Sequence, residues 1–339
     1  MSDNVIIEPL VQRRILRFTV GVILAVFLAA WINWPLAFVA PVFTAKFLVD
    51  KPNLYRETVY ELLLALVATM GLGLLLAGGI TQYPIPLLVL VGLMMLWGYY
   101  LFSDPKWNLF ATILLISVLM LPFMAISNPG ISVYLATGLA SSGVVAILIF
   151  SLVHIYFPEP ESQFSGFAEP PINKQQRWYS AFRAMIISFP VVCFFFLFQI
   201  SDALLTMMFI AILSLMITSE KSVKISAFLL ISNGIGGALA IGAFSILGIV
   251  PNIVFYSLFI GLIAIFMATK IYTIPEKAPI YAGAFSTLLV LIGSTLLSSG
   301  DIDANTFIRI FQLVLIGVYM ILASLFLETR NWKFLQNQP

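Results

Sequence analysis

The chain has 339 residues, of which 61% are hydrophobic and only 9% charged, and its formal net charge is +2. A soluble domain carries about 25% charged residues, so a water-soluble fold of this length is excluded for want of surface charge. The small net charge says nothing about partners, and no nucleic-acid partner is expected. The long continuous apolar runs exclude a transmembrane barrel, whose strands alternate over about 10 residues. What remains is an all-α polytopic membrane protein.

A spanning helix needs about 20 apolar residues. Breaks marked by Pro, Gly, Asn and charge predict about 12 transmembrane helices, at 16–33, 35–50, 56–80, 85–102, 108–126 and 131–156, then 179–199, 202–218, 223–247, 251–270, 278–299 and 303–327. The opening, Arg13, Arg14 and Arg17 followed by FTVGVILAVFLAAWIN, has the look of a signal peptide. It is read as a retained first helix because everything after it also spans. The second segment is short and carries Pro35 and Pro41, so it is expected to be bent or only partly spanning.

Residues 157–178 form the one long polar interval, with Pro158, Pro160, Pro170 and Pro171 among Glu159, Glu161, Glu169, Lys174 and Arg177. Such a stretch cannot bury itself and reads as a linker. The expected organisation is a first six-helix repeat over 1–156, a cytoplasmic linker over 157–178 and a second six-helix repeat over 179–339.

Charge sets the orientation. With the N-terminus inside, sixteen of the 17 basic residues fall on inside segments: Arg13, Arg14, Arg17, Lys46, Lys51, Arg56, Lys106, Lys174, Arg177, Arg183, Lys221, Lys224, Lys270, Lys277, Arg330 and Lys333. The outside turns near Asn33, Gln82, Asn128, Ser201, Gly248 and Gly300 carry none. This is the positive-inside pattern, and it predicts an N-in, C-in topology. Trp31 and Trp34 are expected in one interfacial belt, and Trp97, Tyr99, Tyr100 and Trp107 in the other.

The halves share an order of features. Arg17 and Arg183 each open a first helix, and the third helices are glycine-rich at 71–79 and 233–242. The fourth helices follow Pro84 and Pro86 in one half and Pro251 in the other, and the fifth follow loops bearing Lys106 and Lys277. Six helices per half give both repeats the same orientation. The glycines, and the ladder Gly21, Ala25 and Ala29, read as close helix packing, with thin helices beside a pathway as the alternative.

No P-loop, GxSxG or HExxH motif is present, so no enzyme and no direct ATP coupling are expected. A single cysteine, Cys193, and a single histidine, His154, give a metal or haem cofactor nothing to build on. The sharpest residue is Arg309, eight positions past Asp301 and so about 12 Å deep at about 1.5 Å per residue. An arginine at that depth must face a partner or water. Asn305, Arg309 and Gln312 make a polar stripe on one helix face, where the first half offers Tyr134, Gly138 and Ser141. This stripe is either an anion site on a transport path or a structural pairing. Asn233, beside the second glycine run, could line the same path or simply bond across helices. Near the inner edge lie Lys46 and Asp50, able to pair at i, i+4, with Glu61 and His154. They are either interfacial residues or an inner mouth in which Glu61 or Asp50 carries a coupled proton. Asp104 and Lys106 read as solvated loop residues.

The opening RRILRFTVGVILAVFLAAWINWPLAFVAPVFTAKFL, a basic start, a small-residue first helix and a short proline-bearing second helix, resembles the fusaric acid resistance and aromatic acid exporter superfamily, in a compact bacterial branch distantly related to plant malate channels. The six-plus-six plan extends the resemblance over the chain. It implies an inner-membrane, secondary-type exporter of small organic, chiefly aromatic, anions with a periplasmic adaptor of the membrane-fusion type as partner. A passive anion channel and a membrane scaffold of an adaptor complex stay open as alternatives, as does oligomerisation. The larger exporters carry a long soluble domain between their halves, where this chain has only 157–178.

Overall fold

The computed structural model describes residues 9–51, 53–104, 107–158, 174–199, 223–250 and 252–297, with isolated helical positions between 207 and 215 and between 315 and 326. The described residues contain no strand and form ten α-helices: α1 (Pro9–Ile32), α2 (Val39–Asp50), α3 (Arg56–Ala77), α4 (Pro84–Phe102), α5 (Asn108–Ser127), α6 (Pro129–Tyr156), α7 (Lys174–Phe198), α8 (Val223–Ile249), α9 (Ile253–Thr273) and α10 (Ala278–Leu297). Eight helical stretches among them are long and apolar enough to cross a membrane. The protein is a polytopic helical membrane protein. The expected helices at 202–218 and 303–327 lie outside the described residues apart from those isolated positions.

Local chemistry explains the ends. Pro84 opens α4 at a position where its missing N–H is no loss. Asn252 caps α9, its side-chain oxygen accepting from the Val254 and Phe255 amides at 2.8 and 3.4 Å. Two helices begin earlier than hydropathy predicts, α1 at Pro9 and α7 at Lys174. Gln, Arg and Lys are good helix formers that hydropathy does not register, so these helices extend past the membrane into polar sequence.

The expectation for the second segment holds: α2 has 12 residues, about 18 Å of rise against a core of about 30 Å. It is also buried along its length, from Val39 to Leu48. The chain reaches it through a non-helical turn in which Asn33 and Leu36 both have positive φ, +50° and +57°. Asn33 ends α1 as a left-handed cap, its amide donating to the Ala29 carbonyl at 3.1 Å. Leu36 has no such habit. It is held there by Ser142 of α6, whose hydroxyl donates to the Leu36 carbonyl at 2.9 Å while accepting from Trp34 Nε1 at 2.8 Å. Trp34, expected in an interfacial belt, is half-buried with its indole N–H held by Ser142. Trp31 stays out, 67% exposed.

The chain divides into two compact units. The first comprises Met1–Leu63, Ser141–Phe167 and Ser232–Ser299; the second comprises Leu64–Ala140, Ala168–Ile231 and Gly300–Pro339. In the first unit α1 packs on α9 and α2, and α10 packs on both α9 and α2. The α1–α9 contact is close because Gly261 has no side chain: a Cβ there would lie 2.5 Å from Ile23 Cδ1. Likewise a Cβ on Gly293 would meet Phe38 Cβ at 2.5 Å, and one on Gly236 of α8 would run into the Ala284 carbonyl oxygen and reach Thr287 Cβ at 3.1 Å.

In the second unit α4 packs on α5 and α7. Gly92 of α4 is the seat for α7, a Cβ there meeting Phe189 Cε2 at 2.9 Å and Met185 Cε at 3.1 Å. Gly73 of α3 does the same for α5, against Leu121 Cδ1 at 2.8 Å and Ser117 Cβ at 3.1 Å. The helix α5 is buried over nearly all its length.

Several features recur at a near-constant separation. Left-handed Asn33 and Gln199 are 166 residues apart, and each amide donates to the carbonyl four residues back, Ala29 and Phe195. Ile23 and Phe189, the residues seated on Gly261 and Gly92, are also 166 apart. Tyr83 and Asn252, the caps of α4 and α9, are 169 apart and accept from Leu87 and Tyr256 in the same way. The helices α5 and α10 both run 20 residues, with starts at Asn108 and Ala278, 170 apart.

Candidate functional site

Three helices, α1, α2 and α6, meet at one end of the first unit. Gly21 of α1 brings α2 and α6 together: a Cβ on it would lie 2.8 Å from Leu48 Cδ1, 3.6 Å from Thr44 Cγ2 and 3.7 Å from Val153 Cγ1. Phe47 of α2 meets Phe150 of α6 edge-on, ring centres 6.4 Å apart. One turn before Gly21 on the same face is Arg17, only 2% exposed and engaged with a partner. One turn after Phe150 is His154, buried, its Nδ1 2.8 Å from the Phe150 carbonyl oxygen, which requires the proton on Nδ1 for this bond. Tyr272 of α9 donates to the Leu48 carbonyl at 3.1 Å, satisfying one of the carbonyls that the end of α2 leaves open.

Around this junction lie the expected inner-mouth residues. Lys46 and Asp50 pair at 3.0 Å across one turn of α2. Glu61 of α3 takes Lys51 at 3.4 Å rather than facing inward alone. Lys46 and Lys51 are each matched by a carboxylate, Asp50 and Glu61, and buried Arg17 has a partner of its own. Arg17 entered the sequence reading only as a topology marker. Its spacing carried the missing signal, since Arg17, Gly21, Ala25 and Ala29 step by four along one helix face, and a face made of small residues is a packed one.

The N-terminus of α2 would be the obvious anion site in a broken helix. Its donors are already used. Ala37, Val39 and Ala40 donate to Trp34, Leu36 and Ala37 carbonyls at 3.0, 2.9 and 3.0 Å, and Pro41 has no N–H.

The second unit has two polar features of its own. Tyr99 of α4 and Ser188 of α7 share a hydrogen bond at 2.7 Å, and the Ser188 hydroxyl also lies 2.8 Å from the Ala184 carbonyl oxygen. Ser214 bonds the same tyrosine, and all three are fully buried. At the start of α7, Arg177 donates to Asp104 Oδ2 at 3.2 Å and to the Tyr100 carbonyl at 3.3 Å, with its guanidinium 4.5 Å from the Tyr100 ring centre. Asp104, expected to be merely solvated, instead pins the first turn of α7. Its partner lies 73 residues away, where loop composition gives no hint.

The glycine runs contain both packed and exposed positions. Gly73 and Gly236 are packing seats, whereas Gly71, Gly234 and Gly242 have nothing within 4 Å of a Cβ. Asn233 lies within α8, its side chain outside the described residues. Arg309, Asn305 and Gln312 also lie outside the described residues.

No curated protein and no solved structure matches this chain. Residues 14–153, from the basic start of α1 almost to the end of α6 and less than half of the 339 residues, match the model of a family described as a protein of unknown function, DUF2955.

Proposed function

We propose that this chain is a secondary-type exporter of small organic, chiefly aromatic, anions, seated in the bacterial inner membrane and working with a periplasmic adaptor of the membrane-fusion type. In this reading it catalyses no reaction. It has twelve spanning helices in two six-helix repeats of like orientation, with both termini inside. The recurrence of left-handed helix ends, of the Gly92 and Gly261 seats and of the α5 and α10 lengths at separations of 166 to 170 residues supports the repeat.

The observation that carries the transport reading is the half-length α2 with its irregular entry turn. Non-helical backbone at membrane depth survives only where protein buries it or where it lines a water-filled cavity, and short or broken helices are the parts from which transporters build their paths. The substrate class rests on the resemblance of the opening segment to aromatic acid exporters, and that segment lies within the stretch 14–153.

With the α2 amides already bonded, recognition of the anion falls to side chains. Arg309, flanked by Asn305 and Gln312, supplies the deep guanidinium, which matches a carboxylate with two parallel hydrogen bonds. Lys46, Asp50, Glu61 and His154 form the inner mouth, with Glu61 or Asp50 as the carrier of a coupled proton.

The test is complementation of a deletion strain challenged with a panel of aromatic acids. Arg309→Ala, at normal membrane abundance, should lose protection that the unaltered chain gives. Full protection by that variant refutes the role of Arg309. Steady conductance of the purified protein in a planar bilayer refutes the exporter in favour of a passive channel.

A further inference from the structure

Resting on the six-plus-six reading, we infer that the two repeats exchange helices: the first helix of each repeat has the fourth helix of the other as its packing partner. The α1–α9 contact joins residues before and after the linker, and so does the α4–α7 contact. At each crossing a glycine of the fourth helix receives a bulky residue of the first. Gly261 receives Ile23 and Gly92 receives Phe189; the glycines are 169 apart and the bulky residues 166. Glycine at such a crossing lets two backbones approach, which is how helices associate where lipid offers no hydrophobic drive.

The third and fifth helices behave differently. Gly73 seats α5 and Gly236 seats α10, each within its own repeat, and Ser117 and Thr287, the residues met there, are 170 apart. Helices three to five of one repeat thus stay together, while the first helix reaches across. The compact units follow the same division, since each draws segments from both sides of the linker. A single repeat therefore lacks the partner of its own first helix and fourth helix. The partner that fits those faces is a second copy of the same domain, which this chain carries covalently.

Cross-linking in the full chain tests this, in a Cys193→Ser background with a protease site inserted between residues 159 and 173. Ile23→Cys with Gly261→Cys, and Gly92→Cys with Phe189→Cys, are bridged by a short bis-thiol reagent, and the linker is then cleaved. Both pairs should hold the halves together at full-chain mass on a denaturing gel. Gly73→Cys with Ser117→Cys should release them. Should a glycine variant fail to fold, Phe18→Cys with Tyr272→Cys replaces the first pair, since those rings lie 6.4 Å apart on α1 and α9, on opposite sides of the linker. Separation of the halves in either of the first two pairs overturns the exchange, and so does a product of twice the chain mass. A result against the exchange leaves the exporter reading intact, because that reading is tested by complementation.

Discussion

The α1–α9 seam and the α7–α4 seam use the same backbone device and different interior chemistry. The first is apolar: Ile23 sits on Gly261, and Phe18 packs against Tyr272 and Phe285 at 6.4 and 5.6 Å between ring centres. The second carries the buried hydroxyls of Tyr99, Ser188 and Ser214. Stepping back from these by 166 for the first two helices of a repeat, and forward by 169 for the fourth, reaches Val22, Leu48 and Ala268, all buried and all apolar. Shape has been kept in both seams, while hydrogen bonding has been added to one. In lipid a hydroxyl cluster gives modest strength, about 0.6 kcal/mol per bond on average. It also gives direction, because hydroxyls fix the rotation of a helix about its axis in a way that methyl groups do not.

The comparison breaks most severely at the glycines. Gly261→Leu drives a side chain into Ile23 and should cost about 3 kcal/mol or more, read as loss of the folded fraction in detergent. Ile23→Ala placed beside it should recover part of that loss, whereas Phe189→Ala should recover none. Tyr99→Phe comes next. It removes the cross-helix bonds to Ser188 and Ser214, while Ser188 keeps its bond to the Ala184 carbonyl, and should lower stability by about 1 kcal/mol, measured by denaturant unfolding in mixed micelles. Exchanging Val22 for a similarly sized apolar residue in the other seam should change far less. At the small end, Gly71→Ala meets open space on an α3 face where no atom lies within 4 Å of the new methyl. It should be neutral or stabilising by up to about 1 kcal/mol through helix propensity alone, in contrast to Gly73→Ala two residues on.

Hydropathy and turn residues made the helices legible, and the ends of α3 to α6 and of α8 to α10 fall within three residues of where Pro, Asn and charge predict them. Membrane helices that are apolar all round give no such guide to their neighbours. Nothing in the composition of α1 names α9 as its partner, 229 residues being needed to bring Gly261 after Ile32. Tyr99, expected in an interfacial belt, is instead fully buried against Ser188, an ordinary residue in an apolar run, and the bond between them spans 89 positions. The site was half legible. The Lys46–Asp50 pair follows from i, i+4 spacing alone. Glu61 bonding to Lys51 and Asp104 bonding to Arg177 depend on how loops fold back.

The half-length α2 also bears on how the protein enters the membrane. A nascent chain is sorted by whether successive segments are long enough to sit in lipid by themselves, and 12 residues reach about 18 Å of a core of about 30 Å. The segment also brings Lys46 and Asp50 with it. In the proposed topology α1 carries it in as a hairpin, with the basic start at Arg13, Arg14 and Arg17 on the inner side. The left-handed Leu36 and its bond to Ser142 can form only once α6 has been made, more than 100 residues later in synthesis. The turn that defines α2 is therefore a late event, completed after most of the first six helices are already in the bilayer.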